Sequence, residues 1–149
     1  MSRARLMLGL VAFGLLVSGL TVFPAKAEIR WLIGVAGGDA RAWLKTCLEG
    51  IEVTELRYPS LLYAGDWLAF AHIMLAVLFL GAMKDPVRNV WVVQFGLISC
   101  MALIPLALIC GPIRGIPGLW SGIDCAFAPA AGIPLWIAYR EIRKEEGRA

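Results

Sequence analysis

The stretch "NVWVVQFGLISCMALIPLALICGPI", residues 89–113, contains no charged side chain. A helix that crosses the roughly 30 Å hydrocarbon layer at about 1.5 Å per residue needs about 20 apolar residues, and this stretch is long enough. The runs 61–83 and 115–139 are similar in length and carry one aspartate each, with one histidine in the first. One such run would also fit a buried helix of a soluble protein. Three in succession predict transmembrane helices.

The composition supports a membrane protein. The chain has 149 residues, of which 60% are hydrophobic and 17% charged, and its mean hydropathy is +0.76. An ordinary soluble domain is about half apolar and about a quarter charged. We therefore expect a small all-α, polytopic helical bundle spanning residues 60–139, with the lipid bilayer as its main partner. The net charge of +3 comes from the ends and connectors, without interleaved aromatic residues, which argues against a nucleic-acid partner.

Residues 1–27 have the order of a secretory signal. Two arginines are followed by an uncharged apolar stretch, and Pro24 then precedes an Ala-Lys-Ala sequence of the kind that signal peptidase accepts. The segment predicts either a signal peptide cleaved after Ala27 or an uncleaved N-terminal anchor, which would be a fourth membrane helix. In both cases the next residues emerge on the outer face.

The connectors predict the orientation of the spans. The connector 84–89 and the tail 140–149 are rich in Lys and Arg, which favour the cytoplasmic side. The segment 28–59 and the turn 111–118 then lie outside, and Arg114 is a minor exception to the charge rule. We expect a multi-pass protein of a bacterial-type inner (plasma) membrane, with a cytoplasmic C-terminus.

The external segment 28–59 is too short to form a stable core alone. Within it, residues 39–52 read as an amphipathic helix that Asp39 can cap. Four apolar residues recur at the spacing of one helix face: Leu44, Cys47, Leu48 and Ile51. We expect this helix to lie on the membrane surface or to cover the outer ends of the spans, with binding of a partner as the less favoured alternative.

Asp66 and His72 lie in the first of the three spans, six positions apart. Six residues turn a helix by about 600°, which leaves the two side chains roughly 120° apart, so they do not form a local acid–base pair. If the helix begins at Pro59, Asp66 lies about 10 Å along it and His72 about 9 Å deeper, near the middle of the membrane.

Asp124 lies seven residues after Pro117, so its predicted depth matches that of Asp66. Arg114 is in the outer turn between the spans, and its long side chain can reach into the bundle. Because ionised groups inside a membrane usually find partners, we expect Arg114 to pair with one or both acids. Asp66, Arg114, Asp124 and His72 are thus predicted to form an intramembrane polar cluster that is structural or ligand-binding.

The stretch "GPIRGIPGLWSGIDC", residues 111–125, is rich in glycine and proline and predicts a compact turn. Gly118 and Gly122 have the small-xxx-small spacing that permits close helix approach. The stretch favours a tightly packed hairpin, and a backbone-lined pocket at the outer face is the functional alternative.

No residue pattern indicates a metal or cofactor site. The four cysteines form no CxxC pair, and one lone histidine does not make a His-based metal site. Cys47, Cys110 and Cys125 are compatible with a disulfide in an external compartment, or with buried free thiols. No catalytic nucleophile is evident either, so an enzyme is not favoured.

The sequence leaves three functional hypotheses. The first is a non-enzymatic accessory or structural membrane subunit that assembles with itself or with a larger complex. The second is a small-molecule binding or transport protein with a polar site at the outer end of the bundle. The third and weakest is a membrane-embedded enzyme on a lipid-like substrate with His72 as acid or base, for which a second acid–base group on the same face is missing.

Overall fold

The structure is a computed structural model that describes residues 1–147, so the end of the predicted tail, residues 148 and 149, lies outside the described residues. The fold is all-α, as predicted, and no strand occurs among the described residues. Six helices follow one another along the chain: α1 (Ser2–Leu20), α2 (Ala25–Val35), α3 (Gly38–Arg57), α4 (Pro59–Ala82), α5 (Val90–Ile113) and α6 (Gly118–Glu146).

Four of these helices, α1, α4, α5 and α6, are long and apolar enough to cross a membrane. The three predicted spans correspond to α4, α5 and α6 within a few residues, except at the end of α6. That helix continues past residue 139 to Glu146, where Ile142 is fully buried and two ion pairs at i, i+3 add to the last turns. Arg143 pairs with Glu146 at 2.6 Å and Lys144 with Glu141 at 3.1 Å.

The chain forms two compact units. We call Met1–Gly14 with the residues from Ala76 onward the terminal unit, and Leu15–Leu75 the middle unit. In the terminal unit, α5 and α6 form an antiparallel hairpin in which small residues bring the two backbones together. A Cβ placed on Gly96 would lie 2.8 Å from Cδ1 of Leu135, and one on Gly132 would lie 3.7 Å from Cβ of Cys100.

The first half of α1 is well packed within the terminal unit. Its inward face is buried and consists of Ala4, Leu8, Val11 and Ala12. The Arg5 guanidinium donates a hydrogen bond to the carbonyl of Lys84 (3.4 Å), and the amino group of Met1 lies 3.8 Å from the Glu145 carboxylate. The N-terminal segment is therefore joined to the connector after α4 and to the end of α6.

In the middle unit, α2 and α3 form a second antiparallel hairpin, held by the ion pairs Lys26–Glu55 and Arg30–Glu52. α3 includes the predicted helix 39–52 and extends beyond it at both ends. The capping expectation was wrong: Gly37 is the N-cap, without a side-chain hydrogen bond, and Asp39 lies in the first turn. A carboxylate there is still favourable, since the helix dipole is positive at its N-terminus.

The sequence did not predict α2. The Ala-Lys-Ala sequence that resembles a cleavage site forms its first turn, in which the N–H groups of Ala27 and Glu28 donate to the Pro24 carbonyl at 2.8 and 3.0 Å. Proline fits at the start of a helix because its missing N–H is not needed there. The same residues thus begin a helix in this chain.

Candidate functional site

His72 lies at the crossing of α1 and α4 within the middle unit and is half-buried. A Cβ on Gly19 would lie 2.8 Å from the Ala69 carbonyl oxygen and 3.2 Å from Cβ of His72, so the glycine permits this close crossing. Nδ1 of His72 is 2.8 Å from the carbonyl oxygen of Leu68, one turn earlier in α4. Because a carbonyl only accepts, Nδ1 carries the proton and donates it to that oxygen.

Asp66 lies on a different part of α4, in an open groove of about 240 Å³ lined by Tyr63, Asp66, Trp67 and Phe70. The rings are arranged edge to face: Trp67 is 5.9 Å from Tyr63 and 5.9 Å from Phe70 between centroids, at interplanar angles of 76° and 86°. The Asp66 side chain is exposed and has no ion pair or hydrogen bond within Leu15–Leu75. An acid with three aromatic neighbours therefore forms one face of this helix.

Arg114 is held at the end of α5 by a glycine-based cap. Gly115 adopts a positive φ of 67°, its N–H donates to the Pro112 carbonyl at 3.1 Å, and the N–H of Ile116 donates to the Gly111 carbonyl at 2.9 Å. These two bonds are the Schellman arrangement, which satisfies carbonyls that the helix end would leave unpaired. The cap places the Arg114 side chain in an exposed position at the turn.

The expected ion pair between Arg114 and Asp124 is not formed: the two groups are not within 4.0 Å among the described residues, and both are exposed. Asp124 lies six residues into α6, about 9 Å along the axis from its first residue, whereas Arg114 is fixed in the cap. Pairing of Arg114 with Asp66 would join residues of the two units and stays a prediction.

The turn between α5 and α6 borders an open groove of about 500 Å³. Its lining consists of Leu108, Pro112, Ile116, Gly118, Ser121, Gly122 and Cys125. Two prolines affect its polarity: Pro112 has no N–H for the carbonyl of Leu108, and Pro129 has none for that of Cys125. The groove therefore combines apolar walls with a hydroxyl, a thiol and two carbonyls that lack their usual helix donor, and it has no charged side chain in its lining.

Gly118 and Gly122 begin a longer row of small residues on α6. Gly118, Gly122, Ala126 and Ala130 recur every four residues, and all four are exposed. A Cβ built on Gly118 or Gly122 would meet no atom within 4 Å. The buried side of α6 is formed by other residues, namely Ser121, Ala128, Leu135, Ala138 and Ile142. We call the four exposed positions the small-residue row.

The cysteines Cys47, Cys100, Cys110 and Cys125 are free thiols, so the disulfide considered among Cys47, Cys110 and Cys125 is not formed. Cys47, on α3, is half-buried, and burial raises the pKa of its thiol because the thiolate is disfavoured away from water. Among residues 1–147, no three side chains of His, Cys, Asp or Glu come together as a set of metal ligands.

No protein-family model matches the chain, and comparison with curated proteins and with solved structures finds no similar protein. Two features of the site were missed at the level of sequence. The small-residue row extends from the predicted pair of glycines to Ala126 and Ala130, which the four-residue spacing could have indicated. Tyr63, Asp66, Trp67 and Phe70 follow the i, i+3, i+4, i+7 spacing of one broad helix face, and this spacing is also legible in the sequence.

Proposed function

We propose that the chain is a non-enzymatic accessory or structural subunit of an integral membrane assembly, and that it assembles with a second copy of itself through α6. The observation that carries this proposal is the small-residue row: Gly118, Gly122, Ala126 and Ala130 are exposed together on a helix apolar enough to span the bilayer.

Lipid tails explain why such a row matters. An apolar helix face gains little by leaving lipid for another apolar face, so helices in a bilayer associate where small residues let their backbones approach closely. Most of the remaining exposed surface of α6 carries large side chains, including Leu119, Phe127, Ile133 and Trp136, which suit contact with lipid tails.

A second copy is the occupant that best fits the row. In a two-fold symmetric dimer the same patch is used by both partners, and a row of small residues is self-complementary because two flat surfaces can lie against each other. Gly118 and Gly122 also border the groove at the turn, so a neighbouring helix would find a continuous depression along the start of α6.

The enzymatic alternative is less favoured by the geometry. The His72 imidazole is hydrogen-bonded to the backbone of its own helix, and Asp66 lies in the separate aromatic groove. General acid–base catalysis needs a second group within reach of the same reacting atom, whereas the described hydrogen bond of His72 goes to a backbone carbonyl.

The proposal includes a location in a bacterial-type inner membrane, with α1 retained as a fourth span and both termini in the cytoplasm. The buried face of α1 and the contacts of Arg5 and Met1 support its retention. Four spans return the chain to its starting side, so the N-terminal arginines and the basic tail both obey the positive-inside rule. The hairpin α2–α3 then lies outside.

Intact mass tests the fate of α1. Protein purified from membranes through a C-terminal tag is expected to have the mass of the full chain. Loss of residues 1–27 would contradict retention of the fourth span.

Reporter fusions test the side of the C-terminus. A fluorescent protein fused there should fluoresce, and alkaline phosphatase at the same position should be inactive, because the proposal places that end in the cytoplasm.

Gly122→Ile tests self-assembly. A Cβ on Gly122 meets no atom within 4 Å in the monomer, and the position is exposed, so the fold should survive while the row is blocked. In mild detergent, light scattering coupled to size-exclusion chromatography should show a dimer for the wild-type chain and a monomer for the variant. Gly14→Ile is the matched control, because Gly14 on α1 is equally open, and it should remain dimeric.

Three results would contradict the proposal. They are a wild-type chain that is monomeric at every concentration, a Gly122→Ile variant that stays dimeric, and a Gly14→Ile variant that dissociates equally. A wild-type chain that purifies only with a different protein would point to a heteromeric complex and would also reject self-assembly.

A further inference from the structure

The groove around Asp66 has a chemistry that assembly through α6 does not use. Its four lining residues, Tyr63, Asp66, Trp67 and Phe70, occupy positions i, i+3, i+4 and i+7 of α4, so one helix supplies the whole face. A site built on one continuous helix keeps its geometry without help from loops.

The carboxylate is the unexplained element. Asp66 is seven residues after Pro59, the first residue of α4, which corresponds to about 10 Å along the helix axis. Tyrosine and tryptophan are common near the membrane interface for their own reasons, but a carboxylate among them is costly unless a positive charge compensates it. The two ion pairs of the middle unit join other residues, Lys26 with Glu55 and Arg30 with Glu52.

The aromatic rings indicate which kind of cation fits. The ring of Trp67 is nearly perpendicular to the rings of Tyr63 and Phe70. A ligand between two neighbouring rings would therefore contact the face of one and the edge of the other. Tyr63, Trp67 and Phe70 are 58%, 57% and 51% exposed, which leaves ring surface open to a ligand. Ring faces attract cations within about 6 Å of the centroid, and aromatic surroundings of this kind suit alkylated ammonium groups.

A hard metal ion fits this lining poorly. Calcium takes about six to eight oxygen ligands and magnesium about six, while the groove offers one carboxylate and one phenol. An alkylammonium ion needs only one counter-charge and apolar contacts for its methyl or methylene groups, and the groove supplies both.

We propose that Tyr63, Asp66, Trp67 and Phe70 bind an alkylammonium group, with the Asp66 carboxylate as counter-ion and the rings as cation–π partners. The group belongs either to a phospholipid headgroup in the outer leaflet or to a small organic cation in solution. In this proposal the ligand, and not Arg114, supplies the positive charge beside Asp66.

The test uses the full chain in nanodiscs of phosphatidylglycerol, whose headgroup has no ammonium. Tetramethylammonium chloride is titrated in, and saturation transfer from the protein to the ligand methyl protons is measured by NMR. The wild-type chain should show saturable binding, and Asp66→Asn should weaken it about tenfold through loss of the counter-charge. Trp67→Leu should weaken it about fivefold through loss of the central ring.

Nanodiscs that also contain phosphatidylcholine distinguish the two sources of the ligand. If the lipid headgroup occupies the groove, tetramethylammonium binding should weaken in these discs, and Asp66→Asn should abolish the difference. If the groove takes soluble cations, binding should be the same in both lipids. Each result supports the ammonium site and identifies the source.

Asp124→Asn is the matched control, because it removes an exposed acid of similar predicted depth that does not line this groove. It should bind as the wild type does. The proposal is overturned if the wild-type chain shows no saturable binding, if Asp66→Asn binds equally well, or if Asp124→Asn loses binding to the same extent. A gain in affinity in Arg114→Gln would show that the guanidinium already neutralises Asp66, and would also overturn it.

Discussion

The two helical hairpins of this chain are held together in opposite ways. In α5–α6, glycines at 96, 111 and 132 bring the helices so close that a Cβ at the first two would clash with side chains of their neighbours. In α2–α3, the contacts across the hairpin include two ion pairs between exposed side chains, and Leu44 is the one buried residue of α3.

This difference follows from the solvent that each hairpin is suited to. In lipid, burial of apolar surface between helices gains little, so stability comes from close van der Waals packing at small residues. In water, an apolar stripe such as that of α3 gains by burial, while exposed ion pairs add little. The α5–α6 hairpin should therefore be sensitive to added volume and insensitive to salt. Loss of an ion pair should affect α2–α3 only weakly, and salt should diminish that weak effect.

Gly96→Ile should have the largest effect, because it adds volume where α5 meets α6. The new Cβ would lie 2.8 Å from Leu135 and 2.9 Å from Phe79, both of which are buried. Overpacking of a tight core typically costs about 1–3 kcal/mol, and we expect the upper end of that range. Thermal unfolding in detergent measures it, with Gly14→Ile as the control. Equal melting temperatures for the two variants would contradict the packing account.

Gly111→Ala should have a smaller effect that a second substitution reverses. The added Cβ would lie 2.7 Å from Oγ of Ser121 but 3.7 Å from its Cβ. We expect about 1 kcal/mol of destabilisation. Ser121→Ala removes the clashing oxygen, so the double variant should recover most of the wild-type melting temperature. A double variant less stable than Gly111→Ala alone would show that this contact is not the cause.

Glu52→Gln should have a weak effect on α2–α3, and salt should diminish it. The substitution removes the 2.8 Å ion pair between Glu52 and Arg30. The Arg30 side chain is 60% exposed and that of Glu52 is 45% exposed. Exposed pairs contribute about 0–1 kcal/mol and are screened by salt. Hydrogen exchange of the α2 amides should accelerate slightly at low ionic strength and match the wild type at high ionic strength. A large effect that persists in salt would reject this view of the hairpin.

The smallest expected effect is on the reactivity of Cys47. Burial raises its thiol pKa, so at pH 8 iodoacetamide should modify Cys47 more slowly in the folded chain than in the unfolded chain. The folded state favours the protonated thiol, so this contribution to stability is present at neutral pH and is lost as pH rises through the folded pKa. The measurement uses a chain whose other three cysteines are serine. Equal rates in both states would contradict the burial effect.

Much of the fold was readable from the sequence because each span is a long uncharged or nearly uncharged run. The end of α6 was not, since Ile142 stands among charged residues and its burial depends on tertiary packing. α2 was missed because Ala-Lys-Ala after Pro24 is compatible with both a cleavage site and a helix start. Whether such a short motif forms a helix depends on its contacts with the rest of the chain. Here Lys26 pairs with Glu55 and Arg30 with Glu52, both on α3.

The candidate site was only partly predictable for a related reason. Spans that are apolar on every side give no periodic signal for which face is buried. The separation of Asp66 from His72 followed from helix geometry alone, and the structure places them in different surroundings. The Arg114–Asp124 pair is not formed, because a similar depth along the membrane does not bring two side chains within reach of each other.

The central claim is that the open face of α6 meets its own copy in the membrane, and cysteine cross-linking tests it most directly. In a chain whose native cysteines are replaced by serine, Gly122→Cys should form a reducible dimer when membranes are oxidised, because a disulfide needs Cα atoms within about 7 Å. Gly14→Cys should remain monomeric. A Gly122→Cys chain that stays monomeric, or a Gly14→Cys chain that dimerises equally, would contradict the claim.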